Sequence, residues 1–163
     1  MGLISTDGCI SKVDNQVYIE LKRDDRELLE KVNKALKNER PVKDYTNHSK
    51  GYDNSKIYFY NKKIKEDLKL FNIVTNKTYS EDYKHPDLLE EKFVWAHIRG
   101  MFDGDGTIYT TTNHSTFRID TVSKDIADWL VKVFKKENIS LNLNVEDKKT
   151  FQCIDVLLVR KNR

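Results

Sequence analysis

The chain has 163 residues, 38% hydrophobic and 34% charged, the balance of a folded globular domain rather than a disordered segment. No apolar run approaches the ~20 residues that span a bilayer. The start lacks the charged stretch and cleavage site of a secretory leader, and two cysteines, Cys9 and Cys153, are too few for a disulfide framework or a zinc cluster. Membrane partners and secretion are therefore not expected, and a reducing compartment, cytoplasmic or organellar, is.

In chain order, a short apolar segment, Gly2-Leu3-Ile4-Ser5-Thr6-Asp7-Gly8, comes first. Residues 9–14 and 17–23 read as strands around a turn at Asp14-Asn15-Gln16, with Val17, Ile19 and Leu21 on one face and Tyr18, Glu20 and Lys22 on the other. Residues 25–38 switch to helical spacing through Leu28, Leu29, Val32, Ala35 and Leu36, capped by Asp24 or Asp25 and closed by Pro41. A second hairpin covers 42–60 and a helix 63–72. Polar residues with Pro86 mark a linker over 74–91. A helix over 91–104, strands at 106–112 and 116–122, a helix from Lys124 to Asn138 and a last hairpin at 141–146 and 151–160 complete the chain.

The segment Gly100-Met101-Phe102-Asp103-Gly104-Asp105-Gly106 repeats the opening segment, placing Asp105 at 98 positions from Asp7. The same offset aligns Ile10 with Ile108, Ile19 with Phe117, Val32 with Leu130 and Leu36 with Phe134. Such a repeat means two copies of one structural unit. The division is 1–73, linker 74–91, and 92–163, each copy reading helix, hairpin, helix, hairpin, with a closing helix added in the first. Gly2 and Thr6 share one helix face, as do Gly100 and Gly104. Small residues there let two helix backbones approach, about a pseudo-two-fold axis, and bring Asp7 and Asp105 together. Converging carboxylates repel unless cations lie between them, and oxygen ligands favour Mg²⁺.

Both segments resemble the LAGLIDADG motif that names a family of homing endonucleases, and the resemblance covers nearly the whole chain. It implies an α+β fold of two αββαββ repeats, with motif helices at the interface and antiparallel sheets forming a DNA-binding saddle. It implies a monomer that cuts double-stranded DNA at a long asymmetric site, with Asp7 and Asp105 as metal ligands and catalytic groups. The family also uses a basic residue near the metals, for which this chain offers Lys62, Lys63, Arg160 and Lys161. Arg23 and Thr121 end the second strands near the same region. The DNA-reading positions would be Ser11, Val13, Asn15, Tyr18, Glu20 and Lys22, matched by Tyr109, Thr111, Asn113, Thr116, Arg118 and Asp120. The alternative is a non-catalytic relative, either a DNA-binding regulator or a maturase with intron RNA as partner. The short first motif and the missing final helix depart from the family pattern and are expected to make this a minimal member or a fragment.

Overall fold

The computed structural model describes residues 1–48, 51–112, 114–147 and 152–161. The first half contains α1 (Gly2–Thr6), β1 (Gly8–Ile10), β2 (Gln16–Lys22), α2 (Arg26–Ala35), β3 (Lys43–Asn47), β4 (Tyr52–Tyr60) and α3 (Lys62–Leu70). The second contains α4 (Val94–Asp105), β5 (Gly106–Thr110), β6 (His114–Thr121), α5 (Lys124–Lys136), β7 (Asn142–Asp147) and β8 (Gln152–Lys161). Each half forms one antiparallel sheet, ordered β1-β2-β4-β3 and β5-β6-β8-β7. The α+β architecture of two similar halves is as the repeat predicts.

Strand alternation sets the two layers of each half. In the first, Val17, Ile19, Ile57 and Phe59 face inward and meet Leu29 of α2 and Leu68 of α3. In the second, Ile119, Ile154 and Val156 meet Ile126, Ala127 and Leu130 of α5 and Ile98 and Met101 of α4. Leu3 and Ile4 turn into the first core and Met101 into the second. The motif helices therefore make their closest approach through their small residues.

Several boundaries differ from expectation for local reasons. β1 stops at Ile10 because the Ser11 hydroxyl accepts from the Val13 and Asp14 amides (3.3 and 3.4 Å) and the Asp14 carboxylate from the Gln16 amide (3.0 Å). Such side chain–backbone bonds replace ladder bonds. The Lys65 ammonium holds the same turn through the carbonyls of Ser11 and Asp14, at 2.7 and 2.6 Å. α2 ends at Ala35, well before Pro41, where Lys37 takes a left-handed φ of 50°. Neither Asp24 nor Asp25 caps α2 by a side-chain bond; a 3₁₀ turn over Arg23–Asp25 leads into it. Asn61 and Ser123 do cap α3 and α5, accepting from Ile64 and Ile126. Ala35 and Leu36, expected in the core, are exposed.

That exposure belongs to a pair of apolar clefts on the outer flanks. One, of about 420 Å³, lies between α1, α2 and α3 and includes Leu3, Val32, Leu36, Phe59, Ile64 and Phe71. The other, of about 270 Å³, lies between α4, α5 and their sheet and includes Trp95, Phe102, Phe117, Phe134 and Leu158.

The contact of α1 with α4 leaves no room for side chains. A Cβ on Gly2 would stand 2.0 Å from the His97 carbonyl oxygen, and one on Gly100 2.8 Å from the Leu3 amide nitrogen. Both obstacles are backbone, which cannot swing aside. Gly100→Val is therefore expected to destabilise the protein by ~1–3 kcal/mol or more. Urea unfolding monitored by far-UV circular dichroism would show this as a lower midpoint.

Candidate active site

The C-terminal ends of α1 and α4 deliver Asp7 and Asp105 to one place. A Cβ on Gly104 would stand 2.4 Å from the Asp7 Oδ2 and 2.0 Å from the Thr6 hydroxyl. The Asp7 carboxylate thus lies against the helix that carries Asp105, one residue before it. The Thr6 hydroxyl is 3.0 Å from the Leu3 carbonyl oxygen and 3.2 Å from Asp7 Oδ2, so it steadies the carboxylate at the helix end.

The two acids are electrostatically crowded. Desolvation pushes the Asp105 carboxyl up to about 6, with the Asp7 charge adding to it, the Lys77 ammonium opposing and Asp120 contributing further. Asp7 is also raised by desolvation, against its Thr6 hydrogen bond and the charge of Lys77. Asp105 keeps one side open to solvent. Two clusters of polar space flank the pair. A groove of about 670 Å³ runs from Asp7 past Cys9, Glu20, Lys22 and Asp25, and a cavity of about 300 Å³ holds Asp105, Lys77, Thr78 and Asp120.

Lys77 is the residue that sequence reasoning missed. It stands in the linker, where Asn76 takes a left-handed φ of 53° and starts a 3₁₀ turn over Lys77–Tyr79. Its ammonium donates to the Gly8 carbonyl, directly after Asp7. Burial lowers its pKa, while Cys9, Asp105 and Asp7 act to raise it. Tyr83 fixes the same linker from below, donating to the Ser5 carbonyl at 2.6 Å within the second core. Further along, the His85 ring and amide reach Asp125 of α5 at 2.6 and 2.8 Å, and the ring stacks on Trp129. The linker lies outside both repeats, so the 98-residue offset carries no signal for it.

The other basic candidates lie elsewhere. Asp7 sits level with Gly8, Ile19 and Ile57, whereas β4 runs on to Tyr60 beside Gln16. At roughly 3.4 Å per strand residue, α3 therefore begins ~10 Å or more further along. Lys62 and Lys63 are exposed there and pair with Glu66 and Asp67 one helical turn on. Arg160 and Lys161 register with Ser115 and His114, again at the far end of their sheet; their side chains are outside the described set. Arg23 pairs with Asp53 at 3.0 Å, and Thr121 is buried, accepting from the Ser123 amide. Asp103 stands on the helix flank, 3.8 Å from Arg99.

Of the reading positions, Tyr18, Glu20 and Lys22 lie on the outward face of β2, and Thr116, Arg118 and Asp120 on that of β6. Tyr109 faces outward from β5 and is exposed. Ser11, Val13 and Asn15 belong to the first turn, where Val13 is 97% exposed and free to touch a ligand. Thr111 bonds to His114 across the second turn, and Asn113 lies outside the described residues. The outward face of the first half continues onto β3 and β4. Lys56 lies over the Tyr18 ring at 3.4 Å and Lys43 over Tyr58 at 5.0 Å, with Arg40 between Tyr58 and Tyr60. Cation–aromatic pairs of this kind hold basic groups upright on a sheet face.

Among the described residues, no group of three or more His, Cys, Asp or Glu side chains converges as a metal cluster, and no helix is long and apolar enough to cross a membrane. Two carboxylates with raised pKa values are nonetheless a donor set of hard oxygens that gains from a cation. Mg²⁺, which keeps several waters and takes one or two carboxylates, fits that set. Since Asp105 holds its proton more tightly folded than unfolded, its own contribution to stability is lost as pH rises from about 4 through about 6. Asp105→Asn is expected to raise the melting temperature more at pH 7.5 than at pH 4 in metal-free buffer, measured by thermal denaturation.

A family model described as LAGLIDADG-like domain matches residues 1–72 and 92–162. No curated protein sequence matches the chain significantly. Solved structures do. The N-terminal LAGLIDADG domain of DUF199/WhiA is 16% identical with a TM-score of 0.55, over 95% of this chain and 71% of that one. The I-LtrWI homing endonuclease bound to target DNA is 16% identical with a TM-score of 0.57, over 98% and 76%. I-DmoI in complex with DNA and Ca is 13% identical with a TM-score of 0.58, over 96% and 78%. At these identities the likeness is one of fold.

Proposed function

The chain belongs to the LAGLIDADG family, and from that premise we propose that it is a monomeric, Mg²⁺-dependent endonuclease cutting double-stranded DNA at a long asymmetric site. The observation that carries this reading is the pairing of Asp7 and Asp105, one from each repeat, with the Lys77 ammonium close enough to feel both charges. The DNA-bound and metal-bound states of similar folds support it.

In this reading the outward faces of the two sheets lie in successive stretches of the major groove, where base edges carry a distinct donor–acceptor code. The scissile phosphates come to the helix ends. Asp7 and Asp105 would hold the metal, each supplying a carboxylate oxygen. Bound Mg²⁺ would acidify an attacking water and polarise the phosphoryl oxygen. The Lys77 ammonium, desolvated beside the pair, donates hydrogen bonds to a phosphate oxygen where charge develops. Its lowered pKa also readies it to pass a proton to the leaving oxygen.

A second reading, binding without cleavage, draws on the same lysine. An ammonium near two carboxylates already answers part of their repulsion and reduces the demand for a metal.

Cleavage assays on a selected target separate the two. Asp7→Asn and Asp105→Asn should each abolish cutting in Mg²⁺ while leaving duplex affinity intact or tighter, since a negative charge facing phosphate is lost. Lys77→Ala should slow cutting ~10²-fold or more with little change in affinity. A wild-type protein that binds its target yet leaves it uncut in Mg²⁺ would establish the second reading. Selection from a randomised duplex library should return a non-palindromic consensus, because Glu20 and Lys22 stand where the second half has Arg118 and Asp120.

A further inference from the structure

The two outward sheet faces differ in charge. The first carries Lys22, Lys43 and Lys56 against Glu20. Among the described side chains of the second, Arg118 is the only Arg or Lys, and it stands among Asp120, Asp155 and Glu146. Its Nε donates to Asp120 Oδ1 at 2.6 Å and its Nη2 to Asp120 Oδ2 at 2.7 Å. Asp155, level with Asp120 on the adjacent strand, places Oδ2 at 3.7 Å from Nη1.

Asp155 is the anomaly. It is 2% exposed, Asn144 reaches its Oδ2 at 3.4 Å, and its Oδ1 has no hydrogen-bond partner among the described residues. A buried carboxylate left half-satisfied is costly, and an apolar residue would serve stability better. Its position beside a part-exposed guanidinium gives it another use.

We infer that Asp120 and Asp155 are positioning residues that hold Arg118 as a pre-oriented fork for one guanine, and that neither reads a base itself. The inference rests on the DNA-reading role of this face given above. Side-on pairing with Asp120 occupies Nε–H and one Nη2–H. Both Nη1 protons and the second Nη2 proton remain, and two parallel donors are what guanine O6 and N7 accept. A fork already fixed in direction loses less conformational freedom on binding than a free arginine. The first half does not repeat the device: Glu20 occupies the matching position and accepts from Asn54. The guanine therefore belongs to one half-site. Asp120 also lines the cavity of Asp105 and Lys77, so that guanine sits on the inner side of its half-site, next to the cut.

The test uses the full chain in metal-free buffer, so that binding is read without cleavage. A randomised duplex library first gives the wild-type consensus. Equilibrium affinities are then measured for all four base pairs at each inner position, with melting curves confirming that each variant folds. Arg118→Ala should erase a guanine preference of ~10-fold or more at one position. Asp120→Asn should weaken the preference at that same position, and the double variant should match Arg118→Ala alone. Asp155→Asn should act in the same direction; Asp120→Asn, at a part-exposed site, keeps the test decisive if Asp155→Asn does not fold. A preference change at a different base pair in Asp120→Asn, or effects that add in the double variant, would overturn the clamp. So would a consensus with no guanine that depends on residue 118. A wild-type protein that enriches no sequence would overturn the DNA-reading role itself.

Discussion

Everything in this molecule is hung on the backbone-to-backbone contact of α1 with α4. Gly2 and Gly100 leave the helices no side-chain layer between them, and Gly104 lets the Asp7 carboxylate rest on the opposing helix. This contact joins the halves, fixes the angle between the sheets and brings the two acids together. A looser interface built of larger residues would move the helices apart by the thickness of a side chain. Water would then enter between the helices and the carboxylates would stand too far apart to crowd each other, so the burial and, secondarily, the Asp7 charge that raise the Asp105 pKa would both weaken.

The linker adds a third wall to that site. Its route is held by Tyr83 against the Ser5 carbonyl, by His85 against Asp125 and by the left-handed turn at Asn76. The two bonds join the linker to α1 and α5, one element from each half, so the position of Lys77 is set by the junction between halves. The connecting segment is thus part of the site as well as of the connectivity.

Periodicity and the repeat made the architecture legible. The alternation of Val17, Ile19 and Leu21 and the helical spacing around Leu29 and Leu130 depend on burial, which sequence patterns report directly. The small residues of the motif likewise reveal a close helix contact. What stayed hidden depends on non-local geometry. β1 was expected to reach residue 14, but the Ser11 hydroxyl and Lys65 close the turn sooner. Lys62 and Lys63 stand at the end of the second hairpin, where the family resemblance implies a basic residue, yet the register of β4 places them towards the Gln16 end of the sheet. Arg118 and Asp120 read as two base contacts, whereas their spacing of two residues on one strand face makes them partners first. Lys77 belongs to no repeat and no periodic element, so only the folded path of the chain reveals it.

The outer clefts bear on how such a protein can change. They open on the helix side of each sheet, away from the outward strand faces, and their walls are almost wholly apolar. Substitutions on the outward strand faces alter which groups are presented, and some will weaken the fold. The flanks are where that loss can be recovered, since a larger apolar side chain at Ala35 or Leu36 would enter open space lined by Val32 and Ile64 rather than a packed interior. Presented groups and the capacity to restore stability are thus written on opposite sides of the same strands, and each can drift without dragging the other along.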